Sequence, residues 1–147
     1  MIQKLSHNEK IMWYIRTCHW MRIDHKYEKV EFVPVKILKL YKEFDRDISY
    51  RLMENIIRFG LKDPIMIIYY QHYRIAYIGE GNHRLAIAEK LGLEVLPVRV
   101  IRSTSTYIPV KGIKVKGVKP DWSGYVKGSL YPSEIGLKSY SLEKLCE

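Results

Sequence analysis

Tyr77-Ile78-Gly79-Glu80-Gly81-Asn82-His83-Arg84-Leu85-Ala86-Ile87-Ala88-Glu89-Lys90-Leu91-Gly92 is the stretch whose reading decides the fold. An apolar strand ending passes through two glycines and a polar quartet into a helix. Leu85, Ala88 and Leu91 recur at three-residue spacing, with Ala86 and Ile87 compatible with a helix between them. Gly92 supplies the left-handed residue that stops the helix. Such a strand-to-helix turn aims unpaired backbone N–H groups, and the positive end of the helix dipole, at whatever lies above it. Phosphate is the ligand that suits it best. The amides of Gly81, Asn82 and His83 are the expected donors, Gly81 lets the backbone come close, and Arg84 offers a fork of N–H groups that matches phosphate oxygens. The stretch lacks the third glycine of a dinucleotide fingerprint and the Gly-Lys-Ser/Thr ending of a Walker loop. A plain turn with a solvated arginine is the simpler reading of the same residues.

Upstream, residues 65–70 are almost wholly apolar, which predicts a strand buried on both faces. Gln71-His72-Tyr73 turns the chain into a second strand over residues 74–78. Before them, Ile48, Leu52, Met53, Ile56 and Ile57 form one helical face, with Asp45, Asp47 and Ser49 as candidate N-caps. Gly60 ends that helix and Pro64 prevents its resumption. Earlier still, Ile37, Leu40, Tyr41 and Phe44 suggest a short helix or turn, and Glu31-Phe32-Val33-Pro34-Val35 reads as a short edge strand because of its proline. Downstream of Gly92, residues 93–102 give a further strand with Val98 and Val100 on one side. At the N-terminus, Ser6-His7-Asn8-Glu9 fits a capping box that opens an apolar helix of about three turns around Ile11, Ile15 and Cys18. Cys18-His19 and Asp24-His25 match no metal-site spacing.

The composition is that of an ordinary globular domain, 47% hydrophobic and 28% charged over 147 residues, so one domain is expected. No apolar run approaches the length of a membrane span, and Lys4, His7, Glu9 and Lys10 stand where a signal peptide would be apolar. Cys18 and Cys146 read as reduced thiols, which suggests a cytoplasmic protein. The net charge of +9 points to an anionic partner, nucleotide or nucleic acid. Residues 95–120 contain no acid, and Lys111, Lys114, Lys116 and Lys119 form a glycine-spaced basic stretch that could track a DNA or RNA backbone.

The order strand, helix, strand, strand, helix, strand, taken with three motifs, resembles the ParB/sulfiredoxin superfamily. The motifs are Phe32-Val33-Pro34-Val35, the segment running from Ile57 through Gly60-Leu61-Lys62-Asp63-Pro64, and Gly81-Asn82-His83-Arg84 followed by its small-residue helix. The resemblance covers about residues 31–102. It implies an α+β fold, a small mixed sheet with helices packed on it. An N-terminal helical extension over 1–30 and an irregular C-terminal extension over 103–147 complete the expected single domain.

The resemblance also implies a nucleotide-phosphate site. ParB proteins hydrolyse CTP, sulfiredoxins use ATP, and a related kinase phosphorylates free serine with ADP as donor. In all of them the Gly-x-x-Arg box cradles phosphates, and in ParB the Gly-x-x-x-Pro segment joins the pocket. Gly60, Lys62 and Asp63 thus become nucleotide-binding candidates beside Gly81, Asn82, His83 and Arg84. Sulfiredoxin carries its catalytic cysteine where this chain has Asn82, so peroxiredoxin repair is not expected. ParB carries glutamate and arginine where this chain has Asn82 and His83, which argues against its route to CTP hydrolysis.

Two catalytic candidates remain. Glu80 could hold Mg2+ or act as a base, and His83 could shuttle a proton. Their structural alternatives are a salt bridge from Glu80 to Arg84 or Arg74, and a helix-start hydrogen bond for His83. The expected function is accordingly an NTP-hydrolysing or kinase-like phosphotransferase. The alternative is a DNA- or RNA-binding protein, or a ParB-like nuclease, using the same box for a backbone phosphate. In the tail, Val110, Ile113, Val115 and Val118 suggest short strands, and Trp122, Tyr125 and Tyr131 suggest aromatic anchors.

Overall fold

The computed structural model describes residues 4–23, 29–42, 47–107, 112–118 and 128–146. The fold is α+β and built on one mixed sheet. Its elements run α1 (His7–Ile23), β1 (Glu31–Pro34), α2 (Val35–Leu38) with a 3-10 turn (Lys39–Tyr41), α3 (Tyr50–Phe59), β2 (Ile65–Tyr70), β3 (Ile75–Glu80), α4 (Asn82–Leu91) and β4 (Val95–Ser103). Three short strands follow, β5 (Ile113–Lys114), β6 (Gly128–Leu130) and β7 (Tyr140–Ser141), and α5 (Leu142–Leu145) ends the described chain. The sheet order is β5-β3-β2-β4-β1-β7, with β6 pairing the second half of β4. β2 and β4 run parallel, the chain between them passing through β3 and α4; the other pairings are antiparallel.

Strand alternation decides where the core lies. Ile65, Ile67 and Tyr69 of β2, Ile78 of β3, and Val98 and Val100 of β4 are fully buried and point to one face. Leu85, Ile87, Ala88 and Leu91 of α4 pack into the same cluster, as do Met53 and Ile56 of α3. The intervening residues of β2, Met66, Ile68 and Tyr70, are only half-buried. The expectation of a doubly buried β2 is therefore corrected: one face is core and the other is open.

Local signals explain the helix ends. Ser6 and Glu9 make the reciprocal capping box, the Ser6 amide donating to the Glu9 carboxylate at 2.8 Å and the Glu9 amide to the Ser6 hydroxyl at 3.2 Å. Those bonds hold the Glu9 carboxyl below its ordinary pKa. The Ser49 hydroxyl caps α3 by accepting from the Leu52 amide at 3.2 Å, and left-handed Gly92 closes α4.

α1 is longer than the three turns expected, 17 residues, and it is not an appendage. Trp13 is buried in the main core and donates to the Ile56 carbonyl at 2.8 Å. The buried Thr17 hydroxyl accepts from the Leu61 amide at 3.0 Å. The C-terminal segment is likewise integral, because Ile135 and Leu137 enter the same core. One Glu31 carboxylate oxygen accepts from the Ser133 amide, the Ser133 hydroxyl and the Ser139 hydroxyl, tying that segment to β1.

Two further expectations are corrected. β1 is not an edge strand, since β7 pairs with its first two residues. Pro34 is tolerated because it lies beyond the reach of β7. The cysteines are not free thiols: Cys18 of α1 and Cys146 are joined in a disulfide with Cα atoms 5.7 Å apart. The reason for expecting a reducing compartment lapses with it. Among the described residues no helix is long and apolar enough to cross a membrane. Asp24, His25, Phe44, Asp45, Val110, Trp122 and Tyr125, singled out in the sequence, lie outside the described residues.

Candidate functional site

The sheet register builds the site. β2 and β3 are antiparallel, so the loop that enters β2 and the turn that leaves β3 emerge side by side; Met66 pairs with Glu80. β4 runs parallel to β2 and sets Arg99 opposite Met66. The sequence thus brings the Gly60–Pro64 loop, Glu80, the start of α4 and Arg99 to one end of the sheet.

Arg84 joins the two loops. Its Nη1 donates to the Asp63 carbonyl at 2.8 Å and to the Pro64 carbonyl at 3.0 Å. Its Nη2 lies 3.9 Å from a Glu80 carboxylate oxygen, at the outer limit of an ion pair. The Arg84 side chain is 16% exposed and that of Glu80 67%, so the guanidinium is seated while the carboxylate faces solvent. The exposed Glu80 partner makes this pair a weak contributor to stability.

Two cavities adjoin this junction. The first, about 370 Å³, has an apolar wall of Leu52, Ile56 and Phe59, with Asn55 beside them and Lys62, Asp63 and Arg84 at its polar end. The second, about 170 Å³, is lined by Asp63, Pro64, Met66, Glu80, Arg84 and Arg99. Asp63 and Arg84 form the wall common to both. The Lys62 ammonium lies 5.0 Å from the Trp20 ring centroid and 5.1 Å from that of Phe59, a cation–π seat made by α1 and α3. The Trp20 indole in turn donates to the Phe59 carbonyl at 2.8 Å.

No family model, curated protein or solved structure matches the chain. The site is read from its own residues.

Of the residues singled out in the sequence, Gly60, Lys62, Asp63, Glu80 and Arg84 meet around the two cavities. Gly81, Asn82 and His83 line neither. Gly81 has φ 116°, and a Cβ placed on it would come within 2.6 Å of the Ile65 Cδ1. Its glycine is thus required by the turn and by packing beneath it. His83 is exposed, and the amide oxygen of Asn82 is buried with no hydrogen-bond partner among the described residues. Gly81 gives α4 no side-chain cap. Lys114 and Lys116 are exposed on and just after β5 and line neither cavity; Lys111 and Lys119 lie outside the described residues. Among the described residues no three His, Cys, Asp or Glu side chains gather as a metal site; Asp63 and Glu80 are the two carboxylate residues at the second cavity.

Sequence reasoning missed Arg99 and Asn55 as site residues. Arg99 had no readable signal: a β-α-β reading of β3, α4 and β4 would set β4 parallel to β3, whereas β4 runs parallel to β2 and so brings Arg99 opposite Met66. Asn55 had none either, since a polar residue on the open side of an amphipathic helix looks like any solvated side chain.

Proposed function

We propose that this end of the sheet binds a nucleotide, with phosphates in the cavity between Arg84 and Arg99 and the nucleoside against Leu52, Ile56 and Phe59. The observation that carries the reading is that Arg84 and Arg99 share one small polar cavity, and that Arg84 also lines a larger one with an apolar wall. Ligand sites typically combine an apolar wall with a few convergent polar groups. Guanidinium groups match phosphate oxygens in both charge and geometry. Arg84 does two things here. Its Nη1 fixes the loop geometry, and the remaining guanidinium N–H groups are the ones available to an oxygen ligand. The resemblance of the motif order to ParB/sulfiredoxin proteins points the same way.

Phosphotransfer or hydrolysis is the chemistry that such a site would support. Mg2+ is usually bound by one or two carboxylates together with substrate phosphates, and Asp63 and Glu80 fit that requirement. A bound Mg2+ would neutralise charge on the transferred phosphoryl group. Glu80 would hold that ion or accept the proton of an attacking hydroxyl. His83 is less well placed for either task, being exposed and outside both cavities.

A thermal-shift panel tests the reading, with ATP, ADP, CTP and the matching nucleosides, each with and without Mg2+. A ligand at a hundred times its Kd stabilises the native state by about 2.7 kcal/mol. We expect a nucleoside di- or triphosphate to raise the melting temperature and the bare nucleosides to leave it unmoved. No shift with any millimolar nucleotide would overturn the assignment.

A further inference from the structure

The open face of the sheet carries its own pattern, which extends away from the nucleotide site and meets it at Met66, Glu80 and Arg99. The register lays out three rows across the strands. One runs Lys114, Ile75, Tyr70, Ser103; the next runs Tyr77, Ile68, Ile101, Ser129; the third runs Glu80, Met66, Arg99. Directly paired residues project from the same side of a sheet, so all of these share one face. Tyr70 and Tyr77 stack, with ring centroids 5.8 Å apart and planes inclined by 26°, and their hydroxyls are hydrogen-bonded to each other at 3.0 Å. The pair stands as a half-buried aromatic plate. Beside it runs a groove of about 830 Å³ whose lining includes Ile68, Tyr70, Arg99 and Arg102 and, among the described residues, no carboxylate. The Nε of Arg102 is buried without a hydrogen-bond partner among the described residues. The hydroxyl-rich residues 103–106 complete the lining.

We propose that this face binds single-stranded nucleic acid, with bases stacked on the Tyr70–Tyr77 plate and phosphates drawn by Arg99 and Lys114 on either side. Charge complementarity argues for a polyanion: the chain carries +9, the described residues of the groove lining include two arginines and no acid, and Lys114 brings the basic stretch onto the same face. Glu80, the one acid in the three rows, sits at a corner beside Arg84. Aromatic rings argue for unpaired bases in particular. A base offers its π-face to a tyrosine only when it is free of a duplex stack, and sheets with a few surface aromatics bind two or three bases in this way. An acidic peptide would be drawn by the same charges but would gain little from the plate.

The test is fluorescence anisotropy on the full chain with labelled ten-residue oligo(U) and oligo(dT), a duplex of equal length, and a poly-glutamate peptide, from 50 to 200 mM salt. Tyr70→Leu/Tyr77→Leu removes the plate. Lys114→Gln, on an exposed two-residue strand, removes one charge without touching the core. We expect at least one single strand to bind more tightly than duplex or peptide. The double variant should weaken it about tenfold or more, and Lys114→Gln should reduce the log–log salt slope by about 0.7. Nucleotide-induced stabilisation should be unchanged in Lys114→Gln, which separates this inference from the site at Arg84. Duplex or poly-glutamate binding as tight as the single strands would overturn it. So would wild-type affinity and salt slope in both variants.

Discussion

Arg84 donates to the backbone carbonyl of Asp63 at 2.8 Å, across the gap between the loop entering β2 and the first turn of α4. An arginine read in the sequence as a phosphate ligand, a solvated side chain or a partner of Glu80 thus holds two loops in register. Hydrogen bonds from charged groups contribute about 1.5–3 kcal/mol, so Arg84→Ala should lower stability even without ligand. We expect a lower melting temperature together with nucleotide affinity weakened about tenfold or more. Arg84→Lys should keep the charge but not the two-carbonyl geometry, and should recover only part of either effect. Calorimetric titration and thermal melts on the same samples separate the two roles. Wild-type nucleotide affinity in a folded Arg84→Ala variant would exclude the ligand role.

The disulfide closes most of the chain, since Cys18 and Cys146 are 128 residues apart. It also holds the last described residues onto α1, where the Arg22 guanidinium donates to the Cys146 carbonyl at 2.7 Å. Cross-links of this span stabilise folded proteins by about 2–5 kcal/mol. Cys18→Ser/Cys146→Ser, or reduction of the wild type, should lower the urea midpoint accordingly. Nucleotide affinity should not change, because neither sulfur lines the cavities. Two reactive thiols in unreduced, denatured wild type would contradict the pairing.

The sequence carried the element order well because its signals were local. Ser49, Gly60, Gly81 and Gly92 each mark a boundary through the conformation of one residue or one cap. What escaped depends on partners far along the chain. Hydropathy alone could not distinguish a doubly buried β2 from one with an open face, because Met66, Ile68 and Tyr70 are as apolar as a core row. The proline of β1 correctly signalled missing hydrogen bonds, but the strand that covers β1 comes from residues 140–141, which no local pattern assigns there. The pairing of Cys18 with Cys146 likewise has no sequence signal without a redox context. In the site, the Gly60–Pro64 loop and Arg84 were found through their motifs, whereas Arg99 enters only through the parallel pairing of β4 with β2.

Gly81 offers a direct test of whether the glycine turn serves the fold or a ligand. Its φ of 116° disfavours any side chain, and the added Cβ would meet fully buried Ile65. Gly81→Ala should therefore cost about 2 kcal/mol or more with no ligand present. Nucleotide affinity in whatever fraction stays folded should fall less than in Arg84→Ala. A melting temperature equal to wild type would show that the turn relaxes freely.

Tyr14 makes stability sensitive to alkali. Its hydroxyl accepts from the Glu94 amide at 3.1 Å and the Val95 amide at 3.2 Å, and lies 3.3 Å from the Val95 carbonyl, to which it donates. Burial pushes its pKa above the ordinary value, and the backbone hydrogen bonds offset this only in part. The phenol is therefore harder to ionise folded than unfolded, where its pKa is about 10. Its contribution is fully present below about pH 10 and is lost as the pH climbs from there through the raised folded value. Burial raises Tyr41 and Tyr69 in the same direction. Tyr14→Phe should do two opposite things. Near pH 7 it leaves two amides at the start of β4 without their acceptor, costing about 1–3 kcal/mol. Above pH 10 it removes an ionisation that pulls the chain toward the unfolded state, so the stability difference from wild type should narrow. Urea melts of both proteins from pH 7 to 11 measure this directly, and a difference that stays constant across the range would rule out Tyr14 as a source of the alkaline loss.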